Sequence, residues 1–397
     1  MLSAAKPPTG SDGDLSAHAP NALERCVGDA DPFLAEYFGR RPFLRHGDVE
    51  AYDDLLSLET ADQLLTGAGL RTPAVRLVRD GTRVPPTQYT VAARIGGVPM
   101  PGILDPRRVL AEFDAGATVV LQGMHRYWYP LRRFCRELEL TIGHPCQVNA
   151  YLTPAGAQGL AVHADSHDVF VLQAFGRKRW EVRSGDDDDE PWDVLLEPGD
   201  ALYLPVGTRH AARTQDELSG HLTIGVLATT WRTLLERVLE RLVDDAAFDA
   251  PLPPAWHAEA ANTSRAVREQ LDALADRLAK ADPLGITEDA IDEFHRGRYP
   301  LLAGSFADRA RLRDVTDATV VRLRQGVVAE RRRHRDRLAL LIGDRELRMP
   351  VWVEAAVSVL TDGDDHRLSE AAPHLDPESR LVLGRRLIRE GVLEVRG

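Results

Sequence analysis

Between residues 85 and 230, short apolar runs alternate with turn residues, and this pattern restricts the fold more than any other feature of the chain. The runs are ATVVLQGM (117–124), CQVNAYLTP (146–154), VFVLQAFG (169–176), KRWEVR (178–183), VLLEPGD (194–200), ALYLP (201–205) and HLTIGVL (221–227). Strands this short and this closely spaced are typical of an all-β sandwich or barrel. The acidic run DDDDE (186–190) predicts a solvated turn between two of these strands.

The sequence before this region predicts a disordered tail, a short helix and a strand. Residues 1–20 are rich in Pro, Gly, Ser and Asp, and this composition indicates a disordered tail. The stretch DPFLAEYFGRRPFLRHG (31–47) places apolar residues at helical spacing before a proline. We therefore expect a short helix that leads into a strand.

The periodicity becomes helical from about residue 229 to 310. TWRTLLERVLERLVDDA (230–246) has apolar residues at i, i+3, i+4 and i+7, and the next segment repeats the pattern with Val267, Leu271, Leu274 and Leu278. Exposed apolar seams on two helices predict a bundle or a dimerisation module. A helical domain that packs on its own barrel is the alternative.

The C-terminal region returns to a period of two and then to helices. ATVVRLRQGVV (318–328) and RLALLIGDRELRMP (337–350) predict strands, the second with a turn at Gly343 and Asp344. Two predicted helices and a final strand follow, as in a winged-helix module. Winged helices often bind DNA, and Arg380, Arg385, Arg386 and Arg389 lie on the second helix. However, residues 311–397 contain 17 Arg and no Lys against 15 Asp and Glu, so nucleic-acid binding is not expected.

Composition excludes several classes of protein. The formal net charge of −12 over 397 residues argues against a protein that coats nucleic acid. Three widely spaced cysteines, Cys26, Cys135 and Cys146, form no CxxC pattern and indicate a reducing compartment. The N-terminal segment lacks the apolar core of a signal peptide, and no run is long enough to span a membrane. We expect a soluble cytoplasmic protein.

Two motifs within the β region predict a metal centre. His163 and Asp165 are two residues apart, so a strand would project both from one face. GDALYLPVGTRH (199–210) predicts a strand, a tight Pro-Val-Gly turn and His210 on the next strand. Two histidines and one carboxylate form the facial triad of non-heme Fe(II) oxygenases, which leaves positions open for a 2-oxo acid and O₂. The alternatives are a buried His–Asp ion pair and a zinc site, although structural zinc usually has four ligands including thiolate.

Lys178 is the predicted partner of an anion. The chain turns at Gly176, and we expect the strand that begins at Lys178 to form a hairpin with the strand at 169–176. By alternation, Lys178 shares a strand face with Trp180. A buried ammonium without a partner is unfavourable, so an inward-facing Lys178 predicts a bound carboxylate. The alternative is a side chain that extends outward to solvent.

Other polar residues have weaker signals. Asn149 and Tyr151 share one face of a predicted strand, and His221, Thr223 and Gly225 share one face of a later strand. Each set could line the same cavity. His167 and Asp168 are expected either at a substrate entrance or as solvated polar residues.

These motifs resemble those of a known family. GDALYLPVGTRH is similar to the second cupin motif, Gly-x5-Pro-x-Gly-x2-His, and His-x-Asp resembles the JmjC class of 2-oxoglutarate oxygenases. Within that class the ribosomal oxygenases are the most similar, through NAYLTPAGAQGLAVHADSHDVFVLQAFGRKRW (149–180), EPGDALYLPVGTRHAA (197–212), HLTIG (221–225) and FLAEYFGRRPFLRHG (33–47). Gly225 stands where relatives can have a serine.

The resemblance implies a mixed fold. It would consist of a double-stranded β-helix, the jelly roll of cupin and JmjC proteins, followed by an α-helical dimerisation domain and a C-terminal winged-helix domain. The implied boundaries are a disordered tail at 1–20, a catalytic domain at 21–230, a helical domain at 231–312 and a winged helix at 313–397.

The resemblance also implies a dioxygenase that hydroxylates an Arg or His side chain of a ribosomal protein and acts as a homodimer. His163, Asp165 and His210 would be the catalytic Fe(II) ligands. Lys178 would bind the distal carboxylate of 2-oxoglutarate, Thr223 would assist it, and Asn149 and Tyr151 would lie beside the co-substrate or substrate. The alternatives are an oxygenase that acts on a small molecule and a non-catalytic binding or regulatory protein.

Overall fold

A computed structural model describes most of the chain, namely residues 20–157, 161–183, 191–258, 260–343 and 345–396. The side chains of Asn262 and His334 are not described. The expected tail, the DDDDE turn and the turn residue Asp344 therefore lie outside the described residues, apart from Pro20. The chain divides into two compact units between Ala228 and Thr229.

The first unit contains six α-helices and fourteen strands among its described residues. The helices are α1 (Ala22–Val27), α2 (Ala30–Glu36), α3 (Leu58–Gly67), α4 (Pro86–Tyr89), α5 (Pro106–Asp114) and α6 (Tyr129–Ile142). The strands are β1 (Phe43–Arg45), β2 (Val75–Arg79), β3 (Thr82–Arg83), β4 (Thr90–Ile95), β5 (Val98–Leu104), β6 (Thr118–Leu121), β7 (Cys146–Thr153), β8 (His163–Ala164), β9 (Asp168–Phe175), β10 (Lys178–Arg183), β11 (Trp192–Leu196), β12 (Ala201–Leu204), β13 (Arg209–Thr214) and β14 (Ser219–Val226).

Two antiparallel sheets form the body of this unit. The larger has eight strands in the order β1-β12-β9-β14-β7-β6-β2-β3, and the smaller has four in the order β11-β10-β13-β8. Val169, Val171 and Trp180 belong to a buried cluster formed by residues of both sheets. Two facing sheets with strands that alternate between them form a double-stranded β-helix, so the predicted jelly roll is confirmed.

Strand β9 shows why its sequence is continuously apolar. Phe170 and Leu172 belong to a core shared with residues of α1, α3 and α6, whereas Val169 and Val171 face the smaller sheet. A strand buried on both faces shows no alternation of polar and apolar residues. Burying each such side chain contributes about 1.5–3 kcal/mol.

The structure corrects the all-β prediction for residues 85–230 in one respect. Helices α4, α5 and α6 interrupt the strands. Helix α6 has Pro130 in its first turn and is capped after Ile142 by Gly143, whose φ of 72° is left-handed. These are the residues preferred at the two ends of a helix. Its apolar residues pack against the larger sheet.

The expected hairpin between the strand at 169–176 and the strand at Lys178 is wrong. Strand β9 pairs with β12 and β14, whereas β10 pairs with β11 and β13. The chain therefore passes from the larger sheet to the smaller one at Gly176, which has a φ of 59°. A Cβ atom at Gly176 would lie 2.0 Å from the Leu218 carbonyl oxygen, so this crossing requires glycine.

The second unit contains the helical and C-terminal regions. Its helices are α7 (Trp231–Val243), α8 (Ala260–Ala279), α9 (Pro283–Arg296), α10 (Ser305–Ala310), α11 (Glu354–Leu360) and α12 (Pro377–Arg389). Its strands are β15 (Val320–Leu323), β16 (Ala329–His334), β17 (Arg337–Ile342), β18 (Arg345–Pro350), β19 (His366–Arg367) and β20 (Leu393–Val395), in sheets ordered β19-β15-β20 and β16-β17-β18. The boundary at 312 and the winged-helix assignment stay predictions.

The arginines of α12 have structural contacts within this unit. The Arg380 guanidinium donates to Asp317 and to the Leu375 carbonyl, and Arg385 donates to the Val315 carbonyl. Four arginines on α12 could have contacted DNA. Two of them, Arg380 and Arg385, instead make hydrogen bonds within the protein.

Candidate metal centre

A cavity lies between the two sheets of the first unit and contains every predicted site residue. Its lining residues are Thr118, Gln147, Asn149, Tyr151, His163, Asp165, His167, Val169, Val171, Lys178, Trp180, His210, Ala212, His221, Thr223 and Gly225. Sequence reasoning missed Thr118, Gln147 and Ala212, because polar and small residues on strands are common and only strand pairing shows which face the cavity.

Three of these side chains present donor atoms to one point. The ligand atoms of His163, Asp165 and His210 all lie within 4.8 Å of one another. The Nε2 atoms of the two histidines are 4.0 Å and 3.6 Å from the Asp165 carboxylate oxygens. Strands β8 and β13 pair with His163 directly opposite His210, and this pairing brings together residues that are far apart in sequence.

Hydrogen bonds orient both imidazoles. The Nδ1 atom of His163 is 2.9 Å from the Ala161 carbonyl oxygen, and that of His210 is 3.0 Å from the Thr208 carbonyl oxygen. Because a carbonyl only accepts, each Nδ1 donates and each Nε2 keeps its lone pair for the cavity. Metal-binding histidines have this arrangement. Burial also lowers the pKa of His210 below its usual value, which favours the neutral imidazole that a metal requires.

A tight turn holds the two ligand-bearing segments together. The Thr208 amide donates to the Pro205 carbonyl, and Gly207 between them has a φ of 81°. Gly207 is the third of the four residues in this β-turn, and glycine is the residue preferred where that position has a positive φ. The Gly207 amide also donates to the Asp165 carbonyl at 3.0 Å, so the turn before His210 is attached to the His-x-Asp segment.

Asp168 also holds the turn before His210 in place. This corrects the expectation that Asp168 lies at a substrate entrance or is solvated. Its side chain is buried and accepts hydrogen bonds at 2.7 Å from the Val206 amide and from the Tyr203 hydroxyl. Asp168 is therefore neither solvated nor at an entrance; it positions the turn that leads to His210. No local sequence signal distinguishes this role.

Lys178 faces inward, as its alternation with Trp180 predicts. Its side chain is 1% exposed, and its Nζ atom donates to the Thr153 hydroxyl at 3.0 Å. Burial lowers the pKa of Lys178 to about 7. An ammonium in this position is stabilised by an anion, and among the described lining residues the carboxylate is that of Asp165 alone.

Strand register orders the remaining cavity residues by depth. On β7 and β14, Tyr151 lies opposite His221, Asn149 opposite Thr223 and Gln147 opposite Gly225. Lys178 contacts Thr153, two residues beyond Tyr151, so the ammonium and the Gln147–Gly225 pair lie at opposite ends of the cavity face. The side-chain oxygen of Asn149 accepts a hydrogen bond from the Gly123 amide at 3.0 Å, and this bond fixes the orientation of the Asn149 amide group in the cavity.

His221 lines the cavity, as expected from the strand face that it shares with Thr223 and Gly225. Its ring stacks on Tyr151 with 4.8 Å between centroids, and it is 3% exposed. Burial holds the pKa of His221 well below its usual value, so the ring is neutral. Its Nδ1 atom has no hydrogen-bond partner among the described residues.

The fold and the donor set define the class of the protein: a double-stranded β-helix with a candidate metal centre of two histidines and one aspartate. A sequence profile of the JmjC domain matches residues 124–234. Residues 124–234 thus match the JmjC domain, and the resemblance to ribosomal oxygenases is confirmed by relatives of that name.

The curated relatives match the chain over part of their length. Ribosomal oxygenase 1 of Homo sapiens is 28% identical over 68% of this chain and 47% of its own. Ribosomal oxygenase 2 of Rattus norvegicus is 38% identical over 34% of this chain and 33% of its own. A protein of Dictyostelium discoideum named bifunctional lysine-specific demethylase and histidyl-hydroxylase NO66 is 29% identical over 54% of this chain and 44% of its own. The chain thus matches less than half the length of these relatives.

Solved structures share the fold over a larger part of the chain. The ribosomal oxygenase YcfD of Escherichia coli matches 93% of this chain and 98% of its own, with a TM-score of 0.54 and 19% identity. YcfD in complex with cobalt and 2-oxoglutarate matches with a TM-score of 0.53 and 19% identity. Identity at this level supports the fold alone.

Two further observations concern the cysteines and the helices. Cys26, Cys135 and Cys146 are all buried, and none of them forms a disulfide. Among the described helices, none has the length and apolarity needed to cross a membrane.

Proposed function

We propose that the protein is an Fe(II)- and 2-oxoglutarate-dependent oxygenase that hydroxylates a protein side chain. One observation supports this above the others: a metal donor set and a buried lysine lie in the same cavity of a double-stranded β-helix. The donor set suits a divalent metal, and the lysine suits the far end of a dicarboxylic acid.

His163, Asp165 and His210 would hold the metal. Two imidazole nitrogens and one carboxylate on one side of an octahedral ion leave three positions open. The Nδ1–H bonds to the Ala161 and Thr208 carbonyls would leave both Nε2 lone pairs free to bind the metal. When bound there, Fe(II) would supply the activation of O₂ that is coupled to decarboxylation of the 2-oxo acid.

The chain's own residues would bind and shield the co-substrate. Lys178 would pair with its distal carboxylate, and the Thr153 hydroxyl already orients the ammonium. Thr223, Asn149 and Tyr151 lie between the two ends of the cavity, where they would contact the body of the molecule. Val169, Val171 and Trp180 form apolar walls that exclude water, and a dry site strengthens each of these polar contacts.

We further propose that the substrate is an Arg or His side chain of a ribosomal protein. The support is that two of the relatives are named ribosomal oxygenases and a third is named a histidyl-hydroxylase. We also propose that the protein works in the cytoplasm, where ribosomal proteins are available and cysteines that form no disulfide are ordinary.

We propose homodimerisation through α7 and α8. Apolar side chains on both helices are exposed in the single chain, including Trp231 (80%), Leu235 (53%) and Leu271 (50%). Large exposed apolar patches mark protein–protein interfaces, and the helical spacing of these residues suits a helix-to-helix contact.

The experiment that tests the activity has two parts. Fe(II) and 2-oxoglutarate are added together to the protein under anaerobic conditions, and a charge-transfer absorption band is expected only when both bind. Whole ribosomes and their extracted proteins are then incubated with the loaded protein in air. Mass spectrometry should find a gain of about 16 Da, which corresponds to one oxygen atom. Absence of the band would overturn the co-substrate assignment, and absence of the mass gain would overturn the substrate.

A further inference from the structure

Gly225 on β14 makes room for the ring of His167. A Cβ atom at this position would lie 2.2 Å from the His167 Nε2 atom and 2.4 Å from its Cδ2 atom. Gly225 has no left-handed φ, so its backbone does not itself require glycine. The space that the missing side chain leaves is occupied by the imidazole, and this pairing is a property of these two residues together.

The pair lies at the end of the cavity away from Lys178. Gly225 pairs with Gln147 across β7 and with Val169 across β9. His167 immediately precedes β9 and follows Asp165 by two residues. A molecule that approached the metal centre from this end would meet His167, just before β9, and Gln147 on β7 of the larger sheet.

Neither polar side chain at this end has a partner within the described part of the chain. Both His167 and Gln147 are half-buried and line the cavity. Among the described residues neither side chain makes a hydrogen bond or an ion pair, in contrast to Lys178, Asn149 and Asp168. Because both side chains line the cavity and are not occupied by a contact with the described chain, their polar atoms are available to a ligand.

The charge of the residues at this end of the cavity restricts the kind of ligand that can bind there. Among the described lining residues the one carboxylate is Asp165, which belongs to the metal donor set. A guanidinium or ammonium is normally held by a carboxylate, and the described lining offers no second one. A neutral planar ring suits the site better, because His167 offers a ring face and a ring nitrogen, and Gln147 offers both a donor and an acceptor.

We propose that His167, placed over Gly225, is a specificity-determining residue that together with Gln147 selects a histidine side chain as the substrate. This inference rests on the proposed function and adds the identity of the target side chain and the residues that recognise it.

The test uses the Fe(II)-loaded protein with 2-oxoglutarate and extracted ribosomal proteins. Fragment-ion mass spectrometry of the wild-type product should place the added oxygen on histidine. His167→Ala and His167→Phe should both raise the KM for the ribosomal-protein substrate about tenfold, as expected for one lost hydrogen bond, while kcat changes less. The Kd of 2-oxoglutarate, read from the anaerobic charge-transfer band, should not change. Ser166→Ala is the matched control, since Ser166 is exposed and does not line the cavity.

Gly225→Ala tests the pairing itself without any substrate. It should lower the stability of the protein to urea, and His167→Ala in the same chain should restore much of that loss, because the collision needs both side chains. Equal losses with and without His167 would overturn the pairing.

The remaining outcomes separate the two levels of the proposal. Oxygen on arginine would overturn the histidine assignment, and an unchanged KM in His167→Ala would overturn the role of His167; both leave the oxygenase assignment intact. A charge-transfer band without any modified ribosomal protein would overturn this inference together with the proposed substrate. Absence of the band would overturn the proposed function itself.

Discussion

At the scale of single residues, the site depends on groups whose ionisation is set by burial. Lys178 is sealed in the cavity with one hydroxyl contact, and its pKa is lowered to about 7. The pKa values of His210 and His221 are lowered for the same reason, which favours their neutral forms. Lys178 is therefore the main group on the cavity wall that can offer a positive charge to a ligand.

The affinity for 2-oxoglutarate should depend on pH through Lys178. Only the ammonium binds a carboxylate, so the Kd should be constant below pH 7 and rise up to about tenfold per pH unit above it. Lys178→Ala should bind weakly at every pH. In Lys178→Arg, which stays charged, the rise should disappear. Titration of the anaerobic charge-transfer band between about pH 6 and 9 measures this, and a rise that persists in Lys178→Arg would assign it to another group.

Removal of the carboxylate should abolish the metal site without unfolding the protein. Asp165→Ala should weaken binding of Co²⁺, used as a spectroscopic substitute for Fe(II), by about 100-fold or more, because one of three ligands is lost. Calorimetry and the visible absorption of Co²⁺ measure the affinity, and circular dichroism monitors the fold. Asp53→Ala, at an exposed acidic residue of the same unit, should bind Co²⁺ normally; similar affinities in both variants would contradict the assignment.

At the scale of secondary-structure elements, the site depends on where the chain changes sheets. The crossing at Gly176 moves Lys178 from the sheet of β9 to the facing sheet, so the ammonium points back into the cavity. The turn at Pro205–Thr208 brings His210 opposite His163, and its contacts with Asp165 and Asp168 hold it there. Short connections with left-handed glycines thus determine which side chains meet.

Gly176→Ala should be strongly destabilising. The left-handed φ costs about 1–2 kcal/mol in any residue with a Cβ atom, and the collision with the Leu218 carbonyl adds to this. Gly156→Ala is the matched control, since Gly156 has a φ of 69° but no described atom lies within 4 Å of the point that its Cβ would occupy. Urea denaturation should show a free energy of unfolding lowered further in Gly176→Ala than in Gly156→Ala; equal losses would mean that the crossing can relax.

At the scale of the whole molecule, the two compact units have different surfaces. In the first unit, the apolar residues of the strands and helices form two buried clusters, one of them between the two sheets. In the second, α7 and α8 leave apolar side chains exposed. A second copy of the chain would remove this surface from water.

Charge on the α7–α8 face should therefore prevent dimerisation. Leu235→Glu combined with Leu271→Glu should convert a dimer to a monomer, because charged residues are unfavourable at the centre of an interface. Light scattering coupled to size-exclusion chromatography measures the mass. Glu269→Lys, which lies on the opposite side of α8 by helical spacing, should leave the dimer intact. A wild-type protein that is monomeric at micromolar concentration would contradict the proposal.

Local sequence patterns were enough to predict an all-β sandwich or barrel, the positions of most strands, and the His-x-Asp, Pro-x-Gly-x-x-His and Lys178 motifs, because strand alternation and turn residues act over a few positions. The jelly roll was implied by the family resemblance that these motifs carry. Three features became known from the folded chain alone: β9 and β10 lie in opposite sheets, Asp168 is buried beneath the turn at Val206, and His167 occupies the space above Gly225. Each of these depends on pairing between segments distant in the chain. Local propensity does not encode such pairing, since it is selected by the burial of both partners at once.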